Sequence, residues 1–133
     1  MAERLEVFLV TPERELWSGE ATMVIARGTE GEVGIQRGHA PMLLRLAVGV
    51  LRIQHDGQEE RAVVDGGFLH VTSGEDVTRI DVLADGGTLE ADIDSAAAER
   101  ARDDARDRLE ANADDEGARA ALARAEARLA VRA

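Results

Sequence analysis

The chain has 133 residues, 44% apolar but only 2% aromatic, with a formal net charge of −11, no cysteine and no lysine. The acidity argues against nucleic acid or anionic lipid as a direct partner, since both call for a basic surface. Without cysteine there is no disulfide, thiolate nucleophile or Cys-ligated zinc, and without lysine no Schiff base and no lysine-bearing P-loop.

Residues 1 to 90 read as short strands, and 12 of the 13 glycines fall there. The N-terminal "MAERLEVFLV" is too short an apolar run for a signal peptide, and no segment approaches ~18 apolar residues. In "LEVFLV", Leu5, Val7 and Leu9 share one face. "ATMVIA" is a second β-type run.

Next comes "EGEVGIQRGHAP", Glu30 to Pro41, a glycine-rich stretch that invites a phosphate, metal or catalytic role. The glycines are not spaced as a nucleotide fingerprint, and positive-φ turns explain them more simply. Pro41 forces extended geometry on Ala40, so Gln36 to Pro41 reads as a tight loop feeding a buried strand, "MLLRLAVGVL". "VLRIQ" alternates with Leu51 and Ile53 inward and Arg52 and Gln54 outward. Asp56-Gly57 is a hairpin signal, and "EERAVV" is the returning strand. "GGFLHV" and "VTRIDVL" follow, separated by a turn at "TSGED". So many short strands with Gly-rich turns suggest a β-sandwich or a small barrel.

Residues 91 to 133 form a second unit, rich in Ala, Arg, Asp and Glu, with one glycine and no proline. Two helices are expected, about 94–112 and 115–131, packed as an antiparallel hairpin. Asp114 or Asp115 is placed to cap the second, and Asp104 and Arg108 are spaced to pair. The seam is thin: Ala98, Ala101, Ala105 and Leu109 against Ala118, Leu122, Ala125 and Leu129. At ~25 cal/mol per Å² of buried apolar area, such a hairpin is weakly held unless it docks on something.

No constellation of catalytic residues emerges. His39, His55 and His70 lack metal-ligand spacing, Ser18, Ser73 and Ser95 lack a nucleophile elbow, and the paired carboxylates suit a solvated acidic surface.

Three local patterns carry a resemblance. They are Trp17-Ser18-Gly19, then Gly31-Glu32-Val33-Gly34-Ile35 with His39 and Pro41, then Gly66 to Val71. In order and spacing, from about residue 5 to 95, the chain resembles the epsilon subunit of bacterial F-type ATP synthases. The C-terminal part matches in architecture and length. The resemblance implies a ten-stranded N-terminal β-sandwich followed by an antiparallel two-helix hairpin. It implies a non-catalytic central-stalk subunit that couples proton-driven rotation to ATP synthesis. Its partners would be the gamma subunit and the c-subunit ring through the sandwich, and the alpha/beta catalytic head through the hairpin, which would inhibit ATP hydrolysis. The expected place is the cytoplasmic face of the bacterial cell membrane, held indirectly through the complex.

By position in the motif, Glu32 is expected to contact the ring, with Arg37 and His39 nearby. No cofactor is required, and ATP is a candidate regulatory ligand. Some relatives bind it through an I/L-D-x-x-R-A motif, matched here by Ile93, Asp94 and Ala98, with Ala97 at the arginine position. The guanidinium would come instead from Arg100, or from Arg119, Arg124 or Arg128 on the second helix. Asp94 as a plain helix N-cap is the simpler account. The alternative function is a stand-alone β-sandwich with a small-molecule or metal site.

Overall fold

The computed structural model describes residues 4–132. Eight strands come first: β1 (Arg4–Val10), β2 (Glu15–Ala21), β3 (Met23–Gly28), β4 (Gly31–Ile35), β5 (Met42–His55), β6 (Gln58–Ser73), β7 (Val77–Ala84) and β8 (Gly87–Leu89). A 3₁₀ turn (Glu90–Asp92) leads into α1 (Ser95–Ala111) and α2 (Glu116–Arg132).

The hydrogen-bonded order is β2-β1-β7-β6-β5-β3-β4, with β8 added to β6. The expected count of ten strands is therefore corrected to eight among the described residues. The reason lies in β5 and β6, of 14 and 16 residues, which run through a bend and serve both layers of the sandwich. Before the bend β6 pairs with β8 at Ala62 to Val64, and after it with β7 from Gly67 onward. Counted by layer, each long strand appears twice. "EERAVV" and "GGFLHV", which read as two strands, are thus one.

The bend falls at Gly66 and Gly67, with φ of 96° and 115°. Only glycine takes such angles readily. A Cβ on Gly67 would also collide with the Leu83 carbonyl and approach the Ala84 Cα to 2.9 Å. The strand therefore turns from one layer to the other where side chains are missing.

Between the layers lies an aliphatic core. Leu5, Val7, Leu9, Val24, Ile35, Leu51, Ile53, Leu69, Val71, Ile80 and Val82 are all essentially inaccessible. The alternation in "LEVFLV" and "VLRIQ" is borne out by this arrangement. Asp56 and Gly57 close the β5–β6 hairpin with φ of 49° and 74°, as a primed turn requires. The strand after Pro41 is not buried from its start, however. Leu43 and Arg45 face outward, and full burial begins at Leu46.

The helices pack on each other through Ala98, Ala105, Ala118 and Ala125. Asp94 caps α1 by accepting from the Ala97 N–H at 3.1 Å. Asp115 caps α2, accepting from Ala118 N–H at 2.9 Å. Arg108 bonds that same Asp115 at 3.2 Å, so it ties the two helices together across the turn instead of serving Asp104. The end of the hairpin docks on the outer face of the β5–β6 layer, where Val131 and Ile93 cover Val63 beside Val50 and Ala127.

Candidate functional site

The Gly-rich stretch resolves into two places at opposite ends of β4. At one end, Gly31 turns the chain at φ 134° and Thr29 N–H donates to Arg45 O at 3.0 Å. Glu32 follows, paired across the strands with Arg27. Its exposed carboxylate lies 3.6 Å from the Arg52 guanidinium. Glu32 lines a groove of about 440 Å³ with Arg27, Arg52, Arg61 and the α2 residues Ala130 and Val131.

At the other end, Gln36 to Pro41 is pinned to the neighbouring strands. Gly38 N–H donates to the buried Thr78 Oγ1 at 2.7 Å, and Ser73 Oγ donates to His39 O at 2.7 Å. His39 N–H closes the turn on Gln36 O at 3.1 Å. Arg37 lines a separate groove with Arg4, Glu20 and Thr22. Arg37 thus lines a different groove from Glu32, and His39 sits on the loop that follows β4. Three strand residues, Val33 to Ile35, follow Glu32 before that loop begins, and an extended chain carries its ends apart where a turn would unite them.

One surface escaped the sequence reading. On the outer face of the layer containing β1 and β7, Leu43, Phe68 and Leu83 are 67%, 43% and 53% exposed. Register places Arg45, Phe68 and Leu83 in one row, and Leu43 beside His70 and Asp81 in the next. Arg45 lies over the Phe68 ring at 5.7 Å. Arg79 lies over Phe8 at 4.1 Å and bonds Asp81, whose hydrogen bond and charge push its ionisation further up. The available signal was the alternation itself: if Leu69 and Val82 point inward, Phe68 and Leu83 must point out.

The third place is a cleft of about 390 Å³ between the hairpin and the edge of the sandwich. Asp92, Asp94, Ala97, Arg124 and Arg128 are among the residues that line it. The structure thus brings Asp94, Arg124 and Arg128 together. It leaves Arg100 outside, exposed on α1, and turns Arg119 away to donate to Ala113 O at the far end of the hairpin. Arg128 Nη2 donates to Asp65 Oδ2 at 3.1 Å and approaches Thr88 Oγ1 at 3.5 Å.

Among the described residues no group of His, Asp and Glu is placed to hold a metal ion. His55 packs against Trp17 with ring centroids 5.1 Å apart, and His70 is exposed on the sheet face. No described helix is long and apolar enough to cross a membrane.

Comparison with known proteins agrees with this architecture. A family model described as the beta-sandwich domain of the ATP synthase delta/epsilon chain matches residues 4–89. The ATP synthase epsilon chain of Thermobifida fusca (strain YX) is 45% identical over 132 residues, spanning 97% of this chain and 92% of that one. The epsilon chain of Pelotomaculum thermopropionicum is 40% identical over 107 residues, 80% and 75% of the two chains. In the cryo-EM structure of the Euglena gracilis mitochondrial ATP synthase (OSCP, F1 and c-ring in rotational state 1), one chain superposes with a TM-score of 0.82. It is 23% identical and covers 98% of this chain and 82% of its own length, a likeness of fold.

Proposed function

The chain belongs to the ATP synthase delta/epsilon family, and from that premise we propose that it works as a central-stalk subunit coupling rotation to ATP synthesis. Like the epsilon chains it matches, it is a non-catalytic subunit of the ATP synthase. The observation that carries the role is the near full-length match to an epsilon chain, across both sandwich and hairpin.

The sandwich (residues 1–90) is the stalk-binding domain. Its outer face with Leu43, Phe68 and Leu83 is the proposed seat for the gamma subunit. Three large apolar side chains exposed on one sheet face, rimmed by Arg45, His70 and Asp81, have the make-up of a protein interface. Glu32 is the proposed contact with the c-subunit ring, where an exposed carboxylate suits basic ring loops. Arg37 and His39, on the loop after β4, are the proposed flank of that contact. Attachment to the cytoplasmic face of the membrane then comes through the complex.

The hairpin (residues 91–133) is the regulatory element. Its alanine seam and small apolar footing on Val63 make it the part of the chain most easily detached. Detached, it is free to reach the catalytic head and inhibit hydrolysis. ATP is the proposed ligand of the docked form, in the cleft lined by Asp94, Arg124 and Arg128.

Deleting residues 91–133 and measuring hydrolysis and synthesis separately in the reconstituted complex tests the reading. Hydrolysis rises while synthesis is kept if the hairpin inhibits. No change in either rate rejects the inhibitory role, and failure of the truncated chain to bind gamma rejects the assignment of that contact to the sandwich.

A further inference from the structure

Asp65 stands on β6 immediately before the bend, under the hairpin. Its side chain is only 15% exposed, and that of Arg128, which reaches it from α2, only 21%. One carboxylate oxygen accepts from Arg128 Nη2 at 3.1 Å. The other, Oδ1, is buried with no hydrogen-bond partner among the described residues. Arg128 also donates back to the Arg124 carbonyl at 3.1 Å, which holds the guanidinium in place. The pair joins positions 63 residues apart in the chain.

One guanidinium of the cleft is therefore already held by an anion outside the cleft lining. The cleft's guanidiniums belong to Arg124 and Arg128, while Asp92 and Asp94 line it and Asp65 closes on Arg128 from behind. A phosphate-bearing ligand entering here meets one guanidinium already engaged. A mostly buried carboxylate with one bare oxygen is costly unless its cation stays. Undocking returns both groups to water together, so the pair acts as a clasp with two settings.

We propose that Asp65 is a built-in counter-ion for Arg128, which clasps the hairpin to the sandwich without any ligand and competes with phosphate groups for that guanidinium. The competition rests on the nucleotide reading of the cleft; the clasp does not.

The test uses the full chain and its Asp65→Asn and Arg128→Gln variants. Hydrogen exchange of the α2 amides reads the clasp, and equilibrium dialysis with ATP reads the competition. Trp17 fluorescence during urea unfolding verifies that the sandwich stays folded in each variant. In Asp65→Asn, hairpin opening rises about tenfold and loses the salt dependence of the parent chain. Exchange equal to that of the parent overturns the clasp. ATP binds Asp65→Asn more tightly than the parent, and Arg128→Gln does not bind it. Equal or weaker binding by Asp65→Asn overturns the competition. Absence of binding to every form at millimolar ATP overturns the nucleotide reading and the competition with it, while the exchange result still decides the clasp.

Discussion

Arg52 and Arg61 stand directly opposite each other on β5 and β6, and each is relieved by a different carboxylate. Arg52 turns to Glu32 at 3.6 Å, while Arg61 makes two bonds to Glu90, at 2.7 and 2.8 Å. Like charges facing across a ladder repel, so the carboxylates keep the row tolerable. Glu90 also lends its carbonyl to Arg132 at 3.2 Å, which connects the row to the last turn of the hairpin.

Glu90→Gln leaves Arg61 facing Arg52 uncompensated. The expected cost is about 1 kcal/mol, modest because both partners are partly exposed. Arg52→Gln in the same chain recovers part of it. Urea unfolding of the four members of this double-mutant cycle measures the coupling.

Glu32→Gln removes the charge proposed to meet the ring. Attachment of the reconstituted subunit weakens by roughly 1 kcal/mol, a severalfold loss, and coupled proton pumping falls with it. Unchanged attachment and pumping reject the contact.

Gly67→Ala places a methyl group against the Leu83 carbonyl on a backbone at φ 115°. A loss of about 3 kcal/mol or more is expected, since strain and collision add. The midpoint of chemical denaturation checks it. Gly57→Ala, whose added Cβ meets open space at φ 74°, suffers from the backbone angle alone and costs less.

Ala105→Leu overfills the seam between the helices, where Ala105 is 1% exposed. The hairpin loses about 1–3 kcal/mol while the sandwich keeps its own stability. Helical circular dichroism then melts earlier than the Trp17 signal, separating two transitions.

Acid loosens the second helix. The Ala118 N–H above all holds the Asp115 carboxyl below the ordinary aspartate range; burial opposes it, and the charge and hydrogen bond of Arg108 add to the lowering. The unfolded chain thus binds this proton at higher pH than the folded one. Its stabilising contribution is full above the ordinary aspartate range and is lost as pH falls through the lowered folded value. Asp115→Asn flattens that dependence in a pH series of helix content.

How much was legible in advance follows the range of each interaction. The core strands were readable because alternation is local: Leu51 and Ile53 point one way and Arg52 and Gln54 the other whatever the partner strand. The helices and the Asp94 cap were readable for the same reason, within a residue or two at each end. The number of strands was not, because Gly66-Gly67 ends a strand in sequence terms yet only bends one in space. Arg108 chose Asp115 over Asp104 through the inter-helix turn, which no helical spacing encodes.

By itself, then, the sequence determined the two-part plan, the inward-facing residues and the family pattern from Trp17 to Val71. Only the tertiary structure decided which charges meet. It sent Glu32 to Arg52, and it chose Arg124 and Arg128 over Arg100 and Arg119 for the cleft. Asp65, silent in the sequence, became the partner of Arg128. The reason is physical: periodicity fixes the face a side chain takes, whereas an ion pair depends on two segments arriving within about 4 Å of each other. That meeting is set by the bend at Gly66-Gly67 and by the docking of the hairpin on Val63.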